Sequence, residues 1–236
     1  MCWRFWALRT IETYHRVSVF GHTRSGKSVA VRHLLWLAAL NAKQNPHYQV
    51  FILWTKIESN PLFSAGYFPG VTTSLVKSVR DVLNPRARIV VCKPPMTEKN
   101  EYGFEEFFGR IYYRSERTLR PATVYIDEVN HVTEFKANGG PFSFRRCYTE
   151  GAGLKLGVWA GCQDPVYLQR EMLSQQDHLL IFRIQRPKDR RLLSEEIGFQ
   201  LPRRYAHEHG FYHSSGDADP IYYPSIQYAT GKDVVL

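Results

Sequence analysis

The chain has 236 residues, 44% of them hydrophobic and 14% aromatic, and 31 Lys and Arg against 22 Asp and Glu give a net charge of +9. That is enough apolar material for one packed α/β domain, and no repeat period or low-complexity run points to a solenoid or a disordered chain. The basic balance favours a polyanionic partner, nucleic acid before membrane surface.

In chain order, Arg16 to Phe20 reads as a buried strand, and residues 27 to 41 as the helix that follows it. Asn45-Pro46 breaks the helix, and Gln49 to Trp54 is a second buried strand. Residues 56–75 are rich in Gly, Pro, Ser and Thr and read as a loop, with a short helix from Leu75 to Leu83. Ala87 to Cys92 is a third strand, stopped by Pro94-Pro95. Tyr102 to Leu119 has helical spacing, with Phe104, Phe107, Phe108, Ile111 and Tyr112 on one face. Ala122 to Glu128 is a strand that ends in two carboxylates. Asn138 to Pro141 reads as a turn and Ser143 to Glu150 as a helix. Leu156 to Gln163 and His178 to Ile184 are further strands, and Lys188 to Gly198 a helix. The alternation predicts a mostly parallel sheet flanked by helices. From Pro202 onward, short segments, Gly/Asp/Pro turns and tyrosines read as a hairpin-like tail. The expected organisation is a core over residues 1–200 and a small β-rich C-terminal extension of the same domain over 201–236.

Gly21-His22-Thr23-Arg24-Ser25-Gly26-Lys27-Ser28 fits G-x-x-x-x-G-K-[ST], the phosphate-binding P-loop, and sits between a strand and a helix as that motif requires. Glycines let successive backbone N–H groups face an anion, and the helix N-terminus adds its dipole. In this reading Gly21 to Val29 cradle the phosphates of ATP, Lys27 reaches the β- and γ-phosphates, and Ser28 helps to hold Mg²⁺.

The apolar run ending in Asp127-Glu128 supplies the second half of such a site. Asp127 would support Mg²⁺, and Glu128 would orient and polarise the attacking water. A GTPase would need D-x-x-G at a strand end and an N-K-x-D base reader, and the sequence has neither. A Glu beside the Asp argues for the ATPase branch with an additional strand. Gln163, closing the next strand before Asp164-Pro165, is placed to hydrogen-bond the γ-phosphate or the lytic water.

Taken together, G-x-T-x-S-G-K-S, Y-I-D-E and L-G-V-W-A-G-C-Q-D-P resemble the FtsK–HerA superfamily of DNA-pumping ATPases over roughly residues 16–187. Among its members the chain is most similar to the small genome-packaging ATPases of tailless icosahedral viruses with an internal membrane. The resemblance implies a RecA-like P-loop NTPase fold, with Lys27 and Ser28 on phosphate and Mg²⁺, Asp127 on Mg²⁺, Glu128 as base and Gln163 as sensor. It further implies a homo-oligomeric ring (a hexamer, with a pentamer as the alternative) acting on double-stranded DNA. Such a ring would work at a capsid vertex with portal-like components, in the host cytoplasm and the virion, its membrane association coming through partners.

Two positions depart from that family's pattern. Trp54-Thr55-Lys56 stands where an acidic residue often follows the second strand. No arginine lies in the Gly151 to Lys155 turn, where a trans-acting finger is common. The candidates for that charge are Lys155 and either Arg145 or Arg146, and an ammonium is not equivalent to a planar guanidinium.

DNA would be gripped by its phosphates, and the candidate cations are Lys136, Arg145, Arg146, Arg183, Arg186, Lys188, Arg190, Arg191, Arg203 and Arg204. Two other readings compete: a small-molecule kinase on the same core, and a filamentous-phage-type export or assembly ATPase. The four scattered cysteines lack zinc spacing, and His207-Glu208-His209 reads as a solvated turn. The N-terminal run is broken by arginines and no run of ~20 apolar residues occurs, so neither a signal peptide nor a membrane span is expected.

Overall fold

The internal parallel strands of the chain are apolar at odd and even positions alike, the pattern of a sheet covered on both faces. The computed structural model bears this out, describing residues 11–22, 24–55, 68, 70–133, 140–216 and 218–225. Among these, nine strands form one sheet: β1 (Arg16–Phe20), β2 (Gln49–Leu53), β3 (Thr73–Val76), β4 (Ile89–Cys92), β5 (Ala122–Ile126), β6 (Leu156–Cys162), β7 (His178–Phe182), β8 (Phe211–Ser215) and β9 (Ile221–Tyr223). Their order is β3-β4-β2-β5-β6-β1-β7-β8-β9. Pairings from β3 to β7 are parallel, whereas β7–β8 and β8–β9 are antiparallel. The tail is thus a hairpin that adds two strands to the sheet.

Alternation along the strands divides the core into two layers. Val17, Val19, Val50, Ile52, Tyr125, Trp159, Leu180 and Phe182 pack in one layer. That layer also holds Ala30, Leu34, Leu35, Ala38 and Ala42 of the helix α1 (Lys27–Gln44). Phe51, Leu53, Val124, Ile126, Val158, Ala160 and Ile181 belong to the other. Phe104, Phe107, Phe108 and Ile111 of α2 (Glu101–Thr118) and Phe144 and Cys147 of α4 (Phe142–Glu150) cover them there. The remaining described helices are α3 (Asn130–Thr133), α5 (Arg170–Ser174) and α6 (Pro187–Glu196).

Local sequence sets the helix ends. Asn100 caps α2 by accepting the Gly103 N–H at 2.9 Å. α1 stops at Asn45, whose backbone is extended because Pro46 follows it.

One expectation is corrected. Leu75 to Leu83 is not a helix: Leu75 and Val76 lie in β3, which among the described residues is an edge strand paired with β4 alone. The remainder holds a single 3-10 turn (Val79–Asp81) opened by the Ser78 side chain. Thr73 to Val76 is rich in β-branched residues, and three of the four positions stay partly or fully exposed, so neither burial nor length marked the strand. Most of the expected 56–75 loop and the Asn138-Gly139 turn lie outside the described residues.

The connection after β1 runs to β2 on one side, while the connection after β6 crosses β1 to reach β7 on the other. Ligands of open α/β sheets bind at such a reversal, beyond the strands' C-terminal ends.

Candidate nucleotide site

The P-loop occupies that reversal. Gly21 N–H donates to the Cys162 carbonyl at 3.2 Å and His22 N–H to the Arg183 carbonyl at 3.5 Å, so the loop is strung between the ends of β6 and β7. Arg24 and Gly26 adopt left-handed backbone, with φ of 64° and 100°. A Cβ on Gly21 would meet Ser25 Oγ at 2.5 Å and Phe182 Cβ at 2.8 Å. Only glycine lets the loop close this tightly over the sheet. Lys27 begins α1 and is buried, whereas Ser28 and Val29 in the same first turn are exposed. Thr23 lies outside the described residues.

β6 separates β5 from β1, yet the acidic pair after β5 reaches the P-loop. It does so by crossing the end of β6 at Gly161. Val129 N–H donates to the Gly161 carbonyl at 2.9 Å, and a Cβ at position 161 would run into the Asp127 carbonyl oxygen. Glu128 thereby comes to rest 3.5 Å from Lys27 Nζ, the two side chains only 5% and 10% exposed. Glu128 Oε1 accepts the Gln163 backbone N–H at 3.1 Å. Glu128 Oε2 and Lys27 Nζ, both buried, have no hydrogen-bond partner among the described residues. Lys27, Glu128 and Gln163 are therefore brought together, from the start of α1 and from the segments that follow β5 and β6.

Asp127 is aimed by a residue that sequence reading passed over. The Tyr125 hydroxyl donates to Asp127 Oδ1 at 3.3 Å. Burial first, and then the Asp127 carboxylate, push that phenol well above its ordinary value, so it stays a donor. Gly161 was equally unrecognised, although the small residues of Ala160-Gly161-Cys162 signal a close approach. A third group surrounds Thr55, at the departure after β2. Its Oγ1 lies 2.9 Å from His131 Nδ1, and its carbonyl accepts from Lys99 Nζ at 2.6 Å. Burial and the nearby Lys93 lower the Lys99 pKa.

Arg146 and Lys155 are placed elsewhere. Lys155 immediately precedes β6, at the sheet edge opposite the P-loop. Arg146 donates to both Glu150 oxygens, at 3.0 and 2.7 Å, and to the Tyr112 hydroxyl at 2.7 Å. Arg145 stacks near Phe142, 5.8 Å from its ring centre, and Lys136 lies outside the described residues.

The cradle fits a nucleoside triphosphate: a glycine-built loop, a helix N-terminus and a buried lysine with unfilled hydrogen-bonding capacity. Exposed Ser28 and the oriented Asp127 suit a Mg²⁺ that arrives with phosphate and water ligands. Among the described residues no group of three His, Cys, Asp or Glu is positioned to hold a metal unaided. No helix of the described residues is long and apolar enough to cross a membrane. Cys92, Cys147 and Cys162 are buried free thiols.

No family model and no curated protein matches the sequence. Solved structures do. The genome packaging NTPase B204 from Sulfolobus turreted icosahedral virus 2, in complex with ATPγS, is 17% identical with a TM-score of 0.67, over 87% of this chain and 94% of that one. The pCW3 conjugation coupling protein TcpA, with ATPγS, is 15% identical with a TM-score of 0.59, over 93% of this chain and 62% of that one. EssC (ATPases 2 and 3) from Geobacillus thermodenitrificans is 12% identical with a TM-score of 0.59, over 94% of this chain and 41% of that one. This chain spans less than two thirds of TcpA and of EssC, but nearly all of B204. The resemblance carried by the motifs thus extends to the architecture, and the chain has the α/β RecA-like P-loop NTPase fold.

Proposed function

We propose that this protein hydrolyses ATP to move double-stranded DNA as a homo-oligomeric ring, packaging a viral genome. The observation that carries the ATPase reading is the buried Lys27–Glu128 pair, with hydrogen-bonding capacity left unfilled on both partners. The backbone N–H groups of Arg24, Gly26, Lys27 and Ser28 and the Lys27 ammonium bind the phosphates. Ser28 and Asp127 would hold Mg²⁺, which would supply positive charge to neutralise the phosphates. As Lys27 turns to the phosphates, Glu128 is left to orient a water and take its proton. The water oxygen bonds to Pγ, the bond from Pγ to the bridging oxygen breaks, and ADP and phosphate result. Gln163, whose backbone is tied to Glu128, senses the γ-phosphate with its side chain.

The motor reading draws on the net charge of +9 and on the fold shared with B204 and TcpA. Lys155 lies at the sheet edge opposite its own P-loop and Arg146 is bound to Glu150 and Tyr112, so a contribution from either would be to the site of a neighbouring copy. A kinase would need an acceptor in place of water. The paired carboxylates and Gln163 favour water.

The test is ATP turnover by wild type and Glu128→Gln, with and without duplex DNA, at two salt concentrations. DNA should stimulate the wild type, less so at high salt. A Glu128→Gln variant with full turnover would remove Glu128 as base, and indifference to DNA would remove the motor.

A further inference from the structure

The cleft beside the P-loop, about 510 Å³, is bordered by the departures after β1, β6 and β7, among them His22, Gln163 and Arg183. Its charges are unevenly committed. Arg186 is paired with Asp164 at 2.9 Å. Lys27, outside the cleft's lining, is offset by Glu128. Arg183 is different: its Nε donates to Nε2 of His22 at 3.1 Å, and no carboxylate pairs with it among the described residues. An imidazole nitrogen that accepts is the unprotonated one, so His22 fixes the guanidinium without neutralising it. The same two residues are joined through the backbone, His22 N–H to the Arg183 carbonyl. A planar cation is thus held half-buried on the P-loop itself, in the cleft that Gln163 also lines.

A triphosphate needs more positive charge than a lysine already shared with Glu128. We propose that Arg183 supplies it in cis, as a ligand to the terminal phosphate of the bound nucleotide, with His22 as its positioning residue. The remaining guanidinium N–H groups suit the bidentate, charge-assisted contact that phosphate oxygens accept. Arg183 is then a nucleotide-sensing group and not a DNA contact. The proposal rests on the nucleotide-binding reading of the P-loop and adds to it a discrimination between triphosphate and diphosphate.

The test is a titration of the full chain with fluorescent ATP and ADP analogues plus Mg²⁺, and separately with labelled duplex DNA in the absence of nucleotide. The variants are Arg183→Ala, Arg183→Lys and Arg183→Gln, the last keeping a donor for His22 while removing the charge. Arg183→Ala and Arg183→Gln should lose about 10-fold or more in triphosphate affinity and less than about threefold in diphosphate affinity. Arg183→Lys should fall between these variants and the wild type, and DNA affinity should stay within about twofold. An unchanged ATP-to-ADP ratio in Arg183→Gln overturns the proposal, as does a loss of DNA affinity with nucleotide binding intact. Wild type that binds neither nucleotide overturns the P-loop reading as well, which separates the two failures.

Discussion

The two edges of the sheet treat their charges in opposite ways. At the N-terminal edge, Arg16 at the start of β1 grips Asp177 with Nε and Nη2, each at 3.0 Å, while its backbone N–H adds a third bond at 2.7 Å. Arg146 is closed onto Glu150 and Tyr112. His15, His178 and His213 form a chain of imidazoles, 2.9 and 3.1 Å between ring nitrogens. At the C-terminal edge, Lys27 and Glu128 are buried with hydrogen-bonding capacity to spare, and Arg183 is held by an imidazole nitrogen instead of a carboxylate. Charges satisfied within the chain stabilise the fold. Charges buried without that satisfaction cost stability and are kept where a ligand completes them.

The comparison can be broken at either edge. The largest effect is expected from Glu128→Gln, which keeps the shape and removes the base: turnover should fall about 10²- to 10⁴-fold, with a melting temperature equal to or above that of the wild type. A large loss of stability instead would make the pair structural. Gly161→Ala comes next. The new methyl has to displace the Asp127 carbonyl, costing about 1–3 kcal/mol in denaturant unfolding and lowering turnover by moving both carboxylates. Turnover unchanged in that variant would mean that the crossing at Gly161 does not set the site.

The opposite edge should respond in stability and not in chemistry. Burial lowers the His178 pKa to about 3 and the His213 pKa to about 4, with neighbouring imidazoles adding to the effect at His178. Both rings therefore stay neutral when folded but bind protons when unfolded below pH 6.5. The folded state should lose up to ~1.4 kcal/mol per pH unit for each ring as pH falls from 6.5 towards 4. Urea midpoints at pH 7, 6 and 5 test this, and His178→Asn/His213→Asn should flatten the dependence.

Asp177→Asn is expected to cost ~1–3 kcal/mol. Burial tends to raise the Asp177 pKa, but the Arg16 hydrogen bonds and charge outweigh it and the net shift is downward. Its contribution is present above the unfolded carboxylate range and is lost as pH falls through the lowered value. The window lies below that of the histidines, so the two can be read apart. Arg146→Lys is expected to be the smallest change in stability, because the ion pair is partly exposed. A collapse of turnover in that variant, at concentrations where the chain assembles, would move Arg146 from the structural edge to a neighbour's site.

Much of this was legible one residue at a time. The strands that line the core announced themselves by length and β-branched content, and the P-loop by residues whose chemistry requires that spacing. β3 did not, because an exposed edge strand of four residues has neither a buried face nor a second neighbour to enforce a pattern. Arg146 shows the same limit from the other side. Its sequence position suggested a charge for a neighbouring subunit, and only the packing of α4 on α2 showed that Glu150 and Tyr112 already occupy it.

What the sequence alone determined is the identity of the groups: a glycine loop with the spacing of a phosphate-binding turn, a lysine, two adjacent carboxylates and a glutamine. Those follow from residue type and spacing, which are local. What the tertiary structure decided is which of them meet. β6 is inserted between the strands that carry the loop and the carboxylates, and Gly161 lets the chain cross it so that Glu128 reaches Lys27. His22 and Arg183, 161 positions apart, become partners only because β7 lies beside β1. Such contacts are set by strand order, and strand order depends on burying both faces of the sheet at once, a property that no segment carries by itself.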